Sequence, residues 1–269
     1  MFRSKTSSSR KPRSLNKIPL AGTVWVASDI HLGPDTPATA RAFHLFLDKA
    51  CAQADALLLC GDIFDAWIGD DFALSSPPEW LTQTLARLAQ VSARMPLWLG
   101  RGNRDFLMGP ALARRVGAQL LPDAVCLYTD SGPILLSHGD EYCIADAGYQ
   151  RMRRIVRNPA VQKAFLSLSL KLRRGIADWA RKRSMAANRQ KSPGIMDVDP
   201  GAIEHAFLDS GVGTLVHGHT HRPAVHSLTV GGQARSRIVL PDWDCDHGAA
   251  PRGGWLAIDR HGPVLHQLP

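Results

Sequence analysis

The sequence predicts a layered α/β fold, and three observations carry that prediction. Short apolar runs recur, each stopping abruptly at a polar residue: VWVA before Ser28 and Asp29, ALLLC before Gly61 and Asp62, PLWLG before Arg101, ILLS before His138, and TLVHG before His219. Helical stretches lie between them. The chain is 269 residues long with 45% apolar content, enough to enclose a sizeable core. Runs this short, bounded by glycine and polar residues, fit buried strands better than helices, and strands alternating with helices stack as sheets covered by helices.

Residues 1–22 are basic and serine-rich, and read as a flexible leader ahead of a single domain spanning 23–269. Helices are expected over Thr39 to Ala54 and over Glu79 to Arg94, the second following the Pro77-Pro78 pair. Asp199 can cap a helix with Pro200 in its first turn, running over about 200–209 into the TLVHG strand. From Val225 onward the pattern is all-β, with VGGQA as a hairpin turn. Residues 147–191 interrupt the scheme, with thirteen Lys or Arg, one acid (Asp178) and no strand-like run. Phe165, Leu168, Leu172, Ile176 and Trp179 are spaced 3-4-4-3, which predicts one helix with an apolar stripe on a basic background. The segment reads as an inserted helical cap.

The five cysteines are widely spaced and form no C-x-x-C pair, against both a disulfide framework and a zinc knuckle. The leader lacks the apolar stretch of a secretory signal, and no window approaches the roughly 18 apolar residues of a membrane span. Cytoplasm is the expected compartment. The net charge of +8 points to a polyanionic partner: nucleic acid, an anionic membrane surface or a phosphate-bearing substrate.

Chemistry concentrates at the strand ends. Asp29-x-His31 follows the first run, and a separation of two in extended chain would point both side chains the same way. Asp62 follows the second run, Asn103 the third, His138 the fourth, and His219-x-His221 the fifth. If these strands are neighbours in one sheet, all five motifs meet at its carboxyl edge, where open α/β folds place ligands. Singly, each has a plain alternative: Gly-Asp after a strand is usually a turn, and a lone histidine is often a satisfied half-buried one. HGHTH is sharper, because three imidazoles within five residues beside a glycine are hard to explain by packing; His217 reads as the strand residue among them. Two carboxylates, an amide and four neutral imidazoles carry about −2, which leaves two divalent cations a net of about +2 for an anionic substrate. The donor set, without thiolate, suits Mn²⁺, Fe²⁺, Co²⁺ or Zn²⁺, and the expected reaction is hydrolysis of a phosphoester or pyrophosphate.

The series SDIHLG, CGDIFD, GNRD, SHGD and GHTHRP resembles the calcineurin-like metallophosphoesterases across about residues 23–260. That resemblance implies an αββα sandwich with a dinuclear centre. Asp29, His31, Asp62 and His221 would hold one metal, and Asp62, Asn103, His138 and His219 the other, with Asp62 bridging. GNRD, SHGDEYCIADAGYQRMRR and RSMAANRQK narrow the likeness to a branch acting on UDP-2,3-diacylglucosamine in lipid A biosynthesis, with Mn²⁺, on the cytoplasmic face of the inner membrane. By the same resemblance Asn103, Arg104, His138, Asp146, Ser184, Asn188, Lys191 and His219 would contact substrate, with Asn103, Arg104 and His138 at the reacting centre. Pro241 in LPDW stands where that branch leads one to expect glycine.

Arg104 bears on the competing readings. A histidine there could protonate an alkoxide leaving group, whereas guanidinium stays charged and suits a pyrophosphate, whose leaving group needs charge stabilisation more than a proton. The plain alternative is that Arg104 pairs with Asp105. A phosphoprotein phosphatase, nucleotide phosphodiesterase or nuclease of the same fold is the rival, but the cap carries greasy spacing rather than surface aromatics for base stacking, so no nucleic acid is expected. A scaffold without activity would be free to lose ligands, and none of the seven is missing.

Overall fold

Strands that are apolar at every position need cover on both faces, and four layers provide it here. The computed structural model describes residues 15–188, 197–248 and 250–268, the side chains of 185–188 excepted. Along the first half run β1 (Asn16–Pro19), β2 (Val24–Ala27), α1 (Pro37–Gln53), β3 (Ala56–Cys60), α2 (Asp71–Ser75), α3 (Glu79–Ser92), β4 (Leu97–Gly100), α4 (Pro110–Val116), β5 (Gln119–Leu120), β6 (Ala124–Thr129) and β7 (Gly132–Ser137). The second half holds α5 (Ala147–Val156), α6 (Pro159–Leu166), α7 (Leu170–Asn188), α8 (Pro200–Ser210), β8 (Thr214–His217), β9 (Ala224–Val230), β10 (Gln233–Val239), β11 (Gly254–Asp259) and β12 (Gly262–Gln267).

The strands form two six-stranded sheets, ordered β12-β11-β2-β3-β4-β5 and β1-β6-β7-β8-β10-β9. The two sheets are those of the expected αββα sandwich, and the five strands that carry the motifs divide between them: β2, β3 and β4 are parallel neighbours in the first sheet, β7 and β8 in the second. Alternation decides which layer each side chain joins. Val24, Val26, Leu58 and Trp98 face Leu127, Ile134, Leu136 and Val216 between the sheets. Trp25, Ala27, Leu57, Leu59 and Leu99 face outward onto Phe43, Phe46, Leu81 and Leu88 of α1 and α3. On the far side Cys126, Leu135 and Leu215 pack against Ile203 and Phe207 of α8. Each such side chain contributes about 1.5–3 kcal/mol by leaving water, so the frame is stable enough to hold unfavourable backbone at its edge.

Local sequence sets the joints. Asp199 accepts from Ala202 N at 2.9 Å and opens α8 as expected. The N-terminus of α1 is capped from far along the chain, by Asp246 accepting from Ala38 N and Thr39 N at 2.8 Å each. Gly231 and Gly232, at φ 56° and 75°, turn β9 into β10, a conformation that β-carbons disfavour.

Two expectations are overturned here. Residues 16–19 are not part of a leader: NKIP pairs in parallel with Val125–Tyr128 as an edge strand. Residues 1–14 lie outside the described residues. The cap is three helices rather than one striped helix. Asn158 caps α6, accepting from Ala160 N at 2.9 Å, and Pro159 cannot extend α5 because it lacks the amide that a helix interior requires. A second break at 167–169 separates Phe165 on α6 from Leu172, Ile176 and Trp179 on α7. Arg173, 2% exposed, seats α7 on the body by donating to Ile68 O and to both carboxylate oxygens of Asp71.

Candidate metal centre

Each proposed ligand stands just past the carboxyl end of a strand: β2 for Asp29 and His31, β3 for Asp62, β4 for Asn103, β7 for His138, β8 for His219 and His221. Asp29-x-His31 is not extended, contrary to the spacing rule. Among the described residues, five non-glycine positions adopt left-handed backbone: Asp29 (φ 56°), His31 (54°), Asp62 (51°), His219 (66°) and His221 (54°). All five belong to the ligand set read from sequence. Each such residue costs on the order of 1–3 kcal/mol, and the loops keep it because the turn brings the side chains inward.

The inward atoms converge. His221 Nε2 lies 3.5 Å from Asp29 Oδ1 and 3.3 Å from His31 Nε2. His138 Nε2 lies 3.7 Å from Asp62 Oδ2, and Asn103 Oδ1 lies 3.2 Å from His138 Nε2 and 2.8 Å from His219 Nδ1. Asp62 Oδ2 is also 4.0 Å from His31 Nδ1, so it stands between the two groups. Ligand atoms of Asp29, His31 and His221 lie within 4.8 Å of one another, as do those of Asp29, Asp62 and His138.

The remaining atoms hold these in place. Asp29 Oδ2 accepts from Ser28 Oγ and, at 2.9 Å, from His219 N, while its buried Oδ1 has no hydrogen-bond partner. The ring of His138 donates from Nδ1 to Cys60 O at 3.1 Å, which turns Nε2 toward the centre. Asp62 Oδ1 accepts from Arg104 N at 2.8 Å. Gly102 must be glycine, since a β-carbon there would lie 2.0 Å from Asp62 Oδ1.

Sequence reasoning missed Asp105. It does not pair with Arg104; its carboxylate, 0% exposed, accepts from Ile63 N and Gly102 N at 2.7 Å, from Asp62 N at 3.2 Å and from Phe64 N at 3.4 Å. One side chain thus clamps the Asp62 loop to the Asn103 loop. Arg104 turns instead to Asp65, which also takes Arg181 of α7. Asp140 was missed too: it accepts from Tyr149 Oη and Arg153 Nε, both at 2.7 Å, and ties α5 to the loop after His138. The i, i+4, i+8 spacing of Tyr149, Arg153 and Arg157 is the sequence signal for that face.

Electrostatics mark the same centre. Burial, reinforced by Asp105 and Asp29, pushes the Asp62 carboxyl up to about 7 against the pull of His138 and Arg104. Burial opposes a charge on His138, but Asp62, Asp29, Asp140 and Asp105 outweigh it and raise the ring to about 9. Burial also favours a neutral Asp29, and the nearby imidazoles of His221, His138 and His31 overcome it, holding that carboxyl well below its usual range. Burial and the charge of His138 press His219 down to about 3, leaving it a neutral donor. Mixed carboxylate, amide and imidazole donors, one carboxylate with an orphaned buried oxygen, fit a pair of divalent cations, which would displace the His138 proton.

Two cavities open beside this centre. The first, about 790 Å³, is lined by Asp62, Asn103, Asp146, Ser184, His219 and His221. Asp146 also caps α5, accepting from Tyr149 N at 3.0 Å. The second, about 360 Å³, runs beneath the cap among Trp67, Phe106, Val156, Val161, Phe165 and Ile176. Asn103, Arg104, Tyr149 and Ser184 line both. The predicted stripe divides accordingly: Phe165 and Ile176 face the apolar cavity, Trp179 lines the other, and Leu172 is half exposed. Lys191 lies outside the described residues, as does the side chain of Asn188.

Residues 22–223 match the calcineurin-like phosphoesterase family. The UDP-2,3-diacylglucosamine hydrolase of Bordetella pertussis (strain Tohama I) is 57% identical over 248 residues, covering 92% of this chain and 96% of that protein. The protein of the same name from Pseudomonas aeruginosa (strain UCBPP-PA14) is 42% identical over 241 residues, covering 89% and 96%. Among solved structures, zinc-bound Vps29 from Entamoeba histolytica shares 11% identity at a TM-score of 0.41, covering 91% of this chain and 98% of that one.

Proposed function

This chain belongs to the calcineurin-like phosphoesterase family, and from that premise we propose that it hydrolyses the pyrophosphate bond of UDP-2,3-diacylglucosamine, giving UMP and 2,3-diacylglucosamine 1-phosphate (lipid X). The observation that carries the substrate class is the junction of the two cavities at Asn103 and Arg104. An amphiphile cut at its phosphates needs apolar cover on one side of the reacting bond and a polar, cation-lined chamber on the other.

In this reading two divalent cations, Mn²⁺ by resemblance, are held by Asp29, His31, Asp62 and His221 and by Asp62, Asn103, His138 and His219. They supply Lewis acidity and an activated water near neutral pH. The chain does the rest. Asn103 offers an amide oxygen without adding negative charge, which keeps the centre attractive to a pyrophosphate. Arg104 aims a planar fork at the phosphate oxygens, and its bidentate bonds strengthen as charge develops. His138, held through Nδ1, keeps its other nitrogen on the reacting side. Asp146 and Ser184 take the sugar end, a role the resemblance gives to Asn188 and Lys191 as well, and the apolar cavity takes acyl chain.

No helix among the described residues is long and apolar enough to cross a membrane. The cap instead exposes Ile155, Leu166, Leu172 and Trp179 among its cations. Such a face suits peripheral attachment to the anionic cytoplasmic side of the inner membrane, at about 1 kcal/mol per Lys or Arg near the surface.

The deciding experiment incubates purified protein and Mn²⁺ with UDP-2,3-diacylglucosamine, with bis-p-nitrophenyl phosphate and single-stranded DNA alongside, and identifies the products. UMP and lipid X are expected. An intact lipid substrate beside cleaved DNA or diester would overturn the proposal.

A further inference from the structure

The four histidines of the centre are not held alike. His138 is 3% exposed, enclosed by protein and fixed by Cys60 O. His221 is the exposed one, its side chain 37% accessible, on a loop in left-handed backbone. Something else must choose which nitrogen of His221 carries the proton and which faces the cations.

The candidate is Asp242, 5% exposed. Its Oδ2 lies 3.6 Å from His221 Nδ1, the nitrogen on the far side of the ring from Asp29. The same oxygen accepts from Arg252 Nη2 at 3.1 Å. Arg252 is itself fixed, because its backbone exchanges two 2.9 Å bonds with Asp244. The segment bearing Asp242 is stitched to the site at both ends: Leu240 N donates to His217 O at 2.7 Å, and Trp243 N to Asp29 O at 2.9 Å. A buried carboxylate, aligned by a guanidinium on one side, thus faces the outer nitrogen of the most exposed imidazole of the centre.

We infer that Asp242, aligned by Arg252, is a positioning residue that accepts from His221 Nδ1 and so presents His221 Nε2 to the cation shared with Asp29 and His31. The inference rests on the two-metal reading above. Partners of this kind fix the tautomer of a metal-binding histidine, and losing one costs about 10–100-fold in metal affinity. Because Asp242 touches none of the ligands on the His138 and His219 side in the structure, the effect falls on one half of the centre. A merely structural Asp242, pairing with Arg252 to close the loop, would spare the cations or loosen both alike.

Mn²⁺ titration of the metal-stripped full chain, followed by electron paramagnetic resonance and elemental analysis, separates these. The wild type is expected to take two ions with the broad spectrum of a coupled pair. Asp242→Ala is expected to hold one ion normally and the other about 10–100-fold more weakly, giving the six-line signal of an isolated Mn²⁺ at intermediate loading. Asp242→Glu should recover part of the lost affinity. Arg252→Ala, which leaves the carboxylate but frees it, should weaken the same ion less, and it decides the matter if Asp242→Ala does not fold. Two ions bound as in the wild type, or equal weakening of both, overturns the inference. A wild-type chain that takes fewer than two ions overturns the metal reading itself, a result that needs no variant to see.

Discussion

Replacing Asp105 with alanine tests whether one buried carboxylate assembles the centre without touching its cations. Its oxygens satisfy two short amide bonds, Ile63 N and Gly102 N at 2.7 Å, and two longer ones from Asp62 N and Phe64 N. Alanine leaves at least the two short donors buried and unpaired, at about 1–3 kcal/mol each. Relief from burying a carboxylate returns part of this, so the net loss is about 3 kcal/mol. At about 2–4 °C per kcal/mol for a chain of this size, the melting temperature should fall by roughly 6–12 °C. Turnover should fall further than stability explains, because the clamped loops carry Asp62 and Asn103, and a shift of about 1 Å in reacting groups costs about 10²-fold. Asp105→Asn keeps the shape but turns an amide nitrogen toward a donor, and should land between. Calorimetry and turnover at a temperature where both proteins are folded provide the check. An Asp105→Ala protein melting within about 1 °C of wild type at full activity would refute the clamp.

Three further outcomes are expected. Asp62→Ala should lower bound metal from about two ions per chain toward one or none and abolish turnover, and a full complement by elemental analysis would end its bridging role. Arg104→Ala should cost on the order of 10²–10³ in kcat with both metals retained, and Arg104→Lys should restore only part, because a point charge lacks the fork; near-normal kcat in the alanine variant sinks the role. In EDTA, stability should fall between about pH 7 and 9. The stability that the raised Asp62 carboxyl contributes at acid pH is lost between about 4 and 7, and that which raised His138 contributes below 6.5 disappears as pH passes through about 9. Both groups bind more protons folded than unfolded, so both slopes are negative. Mn²⁺ displaces those protons and should flatten the profile; a metal-free melting temperature that rises over this range contradicts the assignment.

How much of this was legible in the sequence varied by physical cause. The strands before Asp29, Asp62, Asn103, His138 and His219 could be read because burial on both faces leaves continuous apolar runs. The candidate ligands could be picked out because no packing need explains HGHTH. What failed depended on contacts made across the chain. NKIP is polar and largely exposed, so nothing local marks it as a strand; the free edge of β6 makes it one. The assignment of β7 and β8 to a second sheet follows from which edges pair, and strand chemistry is silent on that. Asp29 and His31 reach the centre through left-handed backbone, where the extended spacing rule does not apply. Asp105 takes its donors from more than 40 residues away as well as from Gly102, three positions before it. In the cap the 3-4-4-3 spacing was real, but Asn158-Pro159 and the break at 167–169 carried more weight than periodicity.

The net charge of +8 could not by itself choose between nucleic acid and a lipid phosphate, and the placement of the cations supports the proposed lipid phosphate. Several cations beside the centre are tied to carboxylates, Arg104 and Arg181 to Asp65, Arg153 to Asp140 and Arg157 to Asp123, while Arg183 lies over the Trp179 ring. A nucleic-acid groove wants unpaired cations spread along a track, so that counterion release can drive binding. Here Asp65 holds two guanidiniums at the mouth of an apolar cavity, a local +1 with its forks already oriented. Orienting them before substrate arrives reduces the ordering cost of gripping a phosphate. The apolar walls behind them are of no use to a polynucleotide, but they give an acyl chain somewhere to go once its headgroup is held.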